Sequence, residues 1–264
     1  MLTKVSVGLN GTLLTDIDSS IVLQSVEESA PSWNPTASAR AHLLGQHYLT
    51  TEKRFKDVTI NFALANRDDF AHRTEVLDRI AAWAAAGGKL TLNYRNDQEL
   101  RVKCITPPAL TDVLKWANPY KIVFRAYDIP QWISTFPSSV SFTSALATRT
   151  LYVRGTAGGK LCVAAANHSG STCTWIAFSI SDSQRIQLAG FELLDGETFV
   201  MDYTDNDIQR IWIQPASGPY RSILDKRSET SVDDIWVGEG PTDVSVSASC
   251  SLDWTLYTYG RWTL

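Results

Sequence analysis

Asp202, Asp205 and Asp207, with Asn206 among them, place several oxygen ligands on one short segment. Such a cluster suits calcium, a hard cation that takes many oxygens from a flexible loop. The glycine and the distal glutamate of an EF-hand are missing, so a solvated hairpin turn is the favoured reading. His42 and His47 are separated by four residues rather than the three of a His-Glu-x-x-His zinc helix, in a stretch without helical periodicity. No metal is expected there. His72, at the start of a predicted helix, and His168, in a polar loop, are expected to face solvent. Cys104, Cys162, Cys173 and Cys250 form no Cys-x-x-Cys pair, which argues against zinc and iron–sulfur sites. Cys162 and Cys173 could face each other across a hairpin, but reduced, buried thiols are expected in a chain without a secretory signal.

No Gly-x-Ser-x-Gly elbow, Walker loop or dinucleotide fingerprint is present, and nothing singles out an acid–base pair among the carboxylates. Neither an enzyme nor a cofactor is expected. The aromatic content stands out, with 9 Trp, 9 Tyr and 9 Phe. Trp175, Trp212, Trp236, Trp254, Tyr257, Tyr259 and Trp262 fall in or beside predicted strands. Of these, Trp212, Trp236 and Trp254 are the candidates for stacking on a sugar ring. The competing and favoured reading is that they fill a core or a seam between subunits, since alternation turns roughly half of a strand's side chains inward.

The chain of 264 residues is 44% hydrophobic and 20% charged, enough apolar surface for a packed fold. No apolar run approaches the roughly 20 residues that span a bilayer, and Met1 to Asn10 lacks the pattern of a secretory signal. A soluble protein made in the cytoplasm is expected. Lys and Arg number 24 against 28 Asp and Glu, and no basic block interrupts the mixture. Binding to phosphates by counterion release needs clustered positive charge, so a nucleic-acid reader is excluded.

These side chains must be positioned mostly by sheets. Leu2 to Leu9 and Ile17 to Val26 read as strands around Asn10-Gly11, a dipeptide favoured in tight hairpin turns. Glu27 to Tyr48, with Pro31, Trp33 and Pro35, supports no regular element and reads as an inserted arm. Thr51 to Ala65 reads as a strand, with Phe55, Val58, Ile60 and Phe62 alternating against Arg54, Lys56 and Asn61. The single helix runs from about Asp69 to Ala86, with an apolar stripe through Val76, Leu77, Ile80, Trp83 and Ala84 and a stop at Gly87-Gly88. Lys89 to Tyr94 and Gln98 to Ile105 form a hairpin around Arg95-Asn96-Asp97, and Tyr120 to Ile129 adds a strand. After about Thr135 only short strands and turns follow, among them Ala147 to Val153, Thr172 to Ser179, Gln184 to Leu188, Thr242 to Ser249 and Thr255 to Thr263. The fold class is therefore mainly β: an α+β domain over 1–134 with an arm near 27–50, then a β-sandwich over 135–264.

The order of these elements resembles the distal tail protein (Dit) family of long-tailed phages and prophages. In the first half the resemblance rests on Arg54 to Phe62, the following helix, Gly87-Gly88 and the hairpin Lys89 to Ile105. In the second half it rests on Ile186-Gln187-Leu188, Asp195 to Asp202, Gly238 to Val246 and Gly260-Arg261-Trp262. One departure is Gly238-Glu239-Gly240-Pro241-Thr242-Asp243, where family members carry a Pro-Gly-x-Asn turn.

The resemblance implies a virion structural protein assembled in the cytoplasm of the bacterial host. It would form a homohexameric ring that joins the tail tube to the tail tip or baseplate and to host-attachment proteins. The N-terminal domain would build the ring and the second, galectin-like domain would face outward. DNA would pass through the lumen without specific binding, which suits the mild net charge of −4. Trp33, His42, His47 and Tyr48 mark the arm expected to clasp a neighbouring subunit. The alternative is a β-sandwich protein that binds carbohydrate on the host surface.

Overall fold

The computed structural model describes residues 5–30, 33–39, 46–53, 55–65, 70–109, 120–204 and 208–263, with the backbone alone over 33–39 and 46–53 and at Phe70. The fold is mainly β and divides into two compact units, Met1–Ile133 with Thr263–Leu264, and Ser134–Trp262. No helix among the described residues is long and apolar enough to cross a membrane.

In the first unit, β1 (Val7–Leu9) and β2 (Thr12–Leu13) flank Asn10 and Gly11, whose φ values of 52° and 85° are both left-handed. Asn-Gly adopts this geometry readily because glycine has no Cβ and asparagine tolerates it. The strand expected from Ile17 begins later. One helical turn, α1 (Leu14–Ile17), comes first, and Asp18 then bonds the Ser20 amide at 2.8 Å, a local turn that competes with strand pairing. β3 (Ile21–Glu28) follows.

β4 (Trp33–Ala39) and β5 (Gln46–Lys53) pair with each other as a separate ribbon. The irregular segment expected over Glu27 to Tyr48 is thus corrected. A two-stranded ribbon has two open edges, so the missing N–H of Pro35 need not break a ladder. The single strand expected over Thr51 to Ala65 is likewise divided, between β5 and β6 (Lys56–Leu64).

Helix α2 (Phe70–Ala85) buries Val76, Leu77, Ile80 and Ala84, and its stripe packs on the sheet where Trp83 meets Phe124 edge-on at 5.9 Å. Then come β7 (Gly88–Leu92), β8 (Gln98–Thr106), β9 (Tyr120–Ala126) and β10 (Trp132–Ser134). The main path of the sheet is β2-β1-β7-β8-β9-β6-β3, with antiparallel neighbours throughout.

The second unit contains β11 (Ser138–Val153), β12 (Gly159–Lys160), β13 (Cys162–Ala166), β14 (Cys173–Ser181), β15 (Gln184–Leu193), β16 (Thr198–Tyr203), β17 (Gln209–Gln214) and β18 (Arg221–Ser222). A 3-10 turn (Leu224–Lys226), β19 (Trp236–Val237), β20 (Gly240–Thr258) and β21 (Arg261–Trp262) complete it. The two strands expected over Thr242 to Ser249 and Thr255 to Thr263 are, up to Thr258, one 19-residue strand. Ser249-Cys250-Ser251 has turn-like composition and falls where the β11 register jumps, from Ser144 opposite Leu252 to Leu146 opposite Ser247, yet β11 pairs with β20 on both sides of it, over 240–247 and 252–258.

On its other side β20 pairs first with β14 and then with β13. The sheet β15-β14-β20-β13-β16-β17-β18 therefore folds over on itself, and Phe178 of β14 meets Phe199 of β16 across the interior at 6.2 Å. Ile186, Leu188, Met201, Ile213, Val246 and Leu256 fill the same core. All four cysteines are free thiols, Cys162 and Cys173 buried and Cys104 and Cys250 half-buried.

Candidate functional site

β3 ends at Glu28 and β6 begins at Lys56, and between these two residues the chain leaves the sheet as the β4–β5 ribbon and returns. The alternation of β6 turns residues 56, 58, 60, 62 and 64 inward, so Lys56 shares its face with Val58, Ile60 and Phe62 and is fully buried. A buried ammonium needs a partner. Lys56 Nζ lies 3.2 Å from Glu28 Oε2 and donates to the Thr263 carbonyl at 3.4 Å.

Glu28 in turn accepts from Arg95 Nε and Nη2, both at 2.8 Å, from Trp132 Nε1 at 2.8 Å and from the Tyr94 hydroxyl at 3.0 Å. The Arg95 guanidinium lies 4.9 Å from the centre of the Trp132 ring. Burial alone would raise the Glu28 carboxyl. The hydrogen bonds from Arg95 and Trp132, with the charges of Arg95 and Lys56, outweigh it and hold the group below its usual range. Burial depresses Lys56, with Glu28 opposing, and burial raises the Tyr94 phenol.

A second tie lies one residue along. The Asp57 amide donates to Ser29 Oγ at 2.8 Å and the Ser29 amide to the Asp57 carbonyl at 2.9 Å. Asp57 also holds Arg125 in a two-pronged pair at 2.6 and 2.7 Å, with the guanidinium 3.9 Å over the Phe55 ring. Both ends of the ribbon are thereby fastened to the sheet. This arrangement has the chemistry of a rigid mount rather than of a reaction centre.

On the ribbon, Trp33 stands opposite Lys53, Tyr48 opposite Ala37 and His47 opposite Ser38. His47 and Tyr48 are consecutive residues of β5. His42 lies outside the described residues, as do Asp205, Asn206 and Asp207 of the candidate calcium loop. Asp202 accepts from its neighbour's amide, Tyr203 N, at 2.7 Å and from the Cys162 thiol at 3.4 Å. Among the described residues no group of His, Cys, Asp and Glu is arranged to hold a metal. His72 lies 3.6 Å from Asp18, and exposed His168 pairs with Asp253 at 2.9 Å.

The three candidate sugar-stacking rings separate. Trp254 is corrected: it is 1% exposed and its indole donates to the Ser144 carbonyl at 2.8 Å, so no ligand can reach its face. Half-buried Trp212 packs edge-on against Tyr220 at 6.3 Å, with Arg210 5.4 Å away. Trp236 is 45% exposed, with Lys160 Nζ at 5.6 Å and the Arg261 guanidinium at 5.3 Å from its ring. Lys160 is itself paired with Asp234 at 2.9 Å. Among the described residues no ring contact joins any two of these three tryptophans.

Sequence reasoning missed Glu28, Lys56 and Arg95. The available signal was the inward parity of Lys56 with Val58, Ile60 and Phe62, which makes an apolar face begin with a lysine.

No protein-family model and no curated protein sequence matches this chain. Solved structures do match. The crystal structure of Dit (gp 19.1) of phage SPP1, described as a paradigm of the hub adsorption apparatus in phages infecting Gram-positive bacteria, aligns with 97% of this chain and 98% of its own, with a TM-score of 0.67 and 11% identity. Two further matches come from the phage P2 baseplate in its activated conformation. The calcium form covers 98% of both chains and the strontium form 97% of both, each with 6% identity and with TM-scores of 0.49 and 0.47. The chain has the fold of a distal tail protein.

Proposed function

We propose that this protein is a structural component of a phage tail, a ring-shaped hub that joins the tail tube to the tail tip or baseplate and to host-attachment proteins. The observation that carries this reading is the likeness to the SPP1 distal tail protein over 97% of the chain. The first unit builds a homohexameric ring, and the second is a galectin-like sandwich that faces outward. The protein resides in the virion tail after assembly in the cytoplasm of the bacterial host.

The β4–β5 ribbon supports the assembly role. A two-stranded hairpin is marginally stable by itself in water, and a neighbouring subunit that covers it would complete it. Repeated contacts of this unequal kind generate a ring when the rotation closes. A chain of net charge −4 without a basic stripe suits the wall of a passage through which DNA must slide.

Native mass spectrometry and negative-stain imaging of the full chain test the proposal. A closed hexamer is expected, and a chain that stays monomeric both alone and with the tail tube protein present overturns the reading. Replacing residues 31–54 by a short Gly-Ser linker is expected to yield monomers. Persistence of the hexamer in that variant would remove the ribbon from the assembly role.

A further inference from the structure

The outward face of the layer β15-β14-β20-β11 carries a trough whose small side chains include Ser247, which lines an open cleft, and Ala177, which is buried. At one level Gln187 stands opposite Ala177, Ala177 opposite Ser247, and Ser247 opposite Leu146. At the next, Arg185, Ser179, Ser245 and Thr148 are aligned in the same way. The alternate residues Ile176, Phe178, Ile186, Leu188 and Val246 point into the core, which fixes this set as the outer face.

Trp175 stands at one end of the trough, paired with Ala189, and is 36% exposed. A break in the ladder puts it there. Cys173 pairs with Leu193 and Trp175 with Ala189, so two steps on β14 (173 to 175) face four on β15 (193 to 189). Gly190 takes a φ of 74°, and a Cβ at this position would meet nothing within 4 Å. Bulges of this kind re-aim side chains and open space beside a sheet.

The space consists of two open clefts of about 520 and 780 Å³ that share Thr174 and Gly190. Trp175, Arg185, Gln187 and Ser247 line the first, and Glu192 and Arg221 are among those lining the second. Arg185 Nη2 donates to Gln187 Oε1 at 3.0 Å, which holds two planar polar groups side by side next to the indole. This bond leaves the Gln187 amide NH2 and further guanidinium N–H groups to donate outward.

We propose that this face is a binding site for a neutral saccharide. One pyranose ring lays its apolar C–H face on Trp175 and directs its hydroxyls to Arg185 and Gln187, and the next sugar unit enters the adjoining cleft. A pyranose is apolar on its faces and polar at its edge, the combination this trough offers. An aliphatic ligand would leave Arg185, Gln187 and Ser247, which line the first cleft, unmatched. An anionic ligand would meet Arg185 in the first cleft, but in the second it would find Arg221 already paired with Glu197 at 2.7 Å and Lys226 with Asp225 at 3.2 Å, with Glu192 beside them. The site lies within one chain and does not rest on ring formation.

The test is an array of neutral hexose and N-acetylhexosamine oligosaccharides probed with the full-length protein, followed by titration of the best-retained glycan. Wild type is expected to bind, and Trp175→Ala to lose about tenfold or more in affinity. Trp175→Phe is expected to recover most of that loss, which marks stacking rather than folding. Trp212→Ala and Trp236→Ala are expected to bind like wild type. Should Trp175→Ala not fold, the Arg185→Ala/Gln187→Ala double variant carries the same expected loss. The proposal is overturned if wild type retains no neutral glycan, if only acidic glycans bind, or if binding survives loss of Trp175 or of the Arg185 and Gln187 side chains.

Discussion

Glu28 and Lys56 stand 3.2 Å apart at the two points where the β4–β5 ribbon leaves and rejoins the sheet. The pair closes the base of a long excursion of the chain. Its members are unequally supported: Glu28 has Arg95, Trp132 and Tyr94 as further donors, whereas fully buried Lys56 has the Thr263 carbonyl besides Glu28.

This asymmetry yields the first prediction. Glu28→Ala strands a buried ammonium and is expected to cost about 3 kcal/mol. Lys56→Met removes the buried charge and leaves Glu28 bonded, so a change within about 1 kcal/mol is expected. Urea denaturation of both variants checks this, and equal losses would contradict it.

Stability in acid follows from the same carboxylate. A group whose folded pKa is depressed contributes stability that is complete above its unfolded value and is lost as pH falls through the folded one. Stability is therefore expected to fall as the pH drops below about 4.5, the ordinary value for Glu28. Glu197, lowered chiefly by its hydrogen bonds from Arg221, adds to the same acid limb in the second unit. Lys56 acts in the other direction: its charge burdens the fold at neutral pH, and the burden lifts as pH rises through its lowered folded value. Thermal midpoints recorded from acid to neutral pH should fall less steeply for Glu28→Gln than for wild type.

The turn at Asn10 and the stop after α2 depend on each other. Asn10 Nδ2 donates to the Gly87 carbonyl at 2.7 Å and Asn10 Oδ1 accepts from the Lys89 amide at 2.9 Å. Gly88 has a φ of 118°, and a Cβ there would collide with the Asn10 side chain. Asn10→Ala is expected to cost about 1–2 kcal/mol, and Gly88→Ala about 2 kcal/mol or more. The double variant should lose less than the sum, because the collision partner is gone. Strict additivity in chemical denaturation would refute the coupling.

Trp254 and Trp236 should separate core from surface. Trp254→Ala empties a buried site and is expected to cost about 4 kcal/mol, whereas Trp236→Ala should stay within about 1 kcal/mol. Calorimetry of the two variants decides, and a cheap Trp254→Ala would mean that the ring is not buried.

The local signals in the sequence were legible where a residue's own chemistry determines its conformation. Asn10-Gly11 makes its turn, Gly87 ends the helix, and Val76, Leu77, Ile80 and Ala84 face the core, because φ preferences and a 3.6-residue period need no distant partner. The ribbon was not legible, since Thr, Ser and Ala in β4 become a strand only through pairing with β5. The continuity of β20 was not legible for the same reason, as the stretches on both sides of its polar middle are held in line by β11, about a hundred residues earlier.

The sequence by itself determined a β-rich chain with one long helix, and the order of its elements pointed to the distal tail protein fold. Tertiary structure decided which polar and aromatic side chains matter. It turned Lys56 inward to meet Glu28, buried Trp254 against Ser144, and brought Trp175 out beside Arg185 and Gln187. The physical reason is that alternation assigns a residue to one of two faces, while only the packing of distant strands decides which face becomes core.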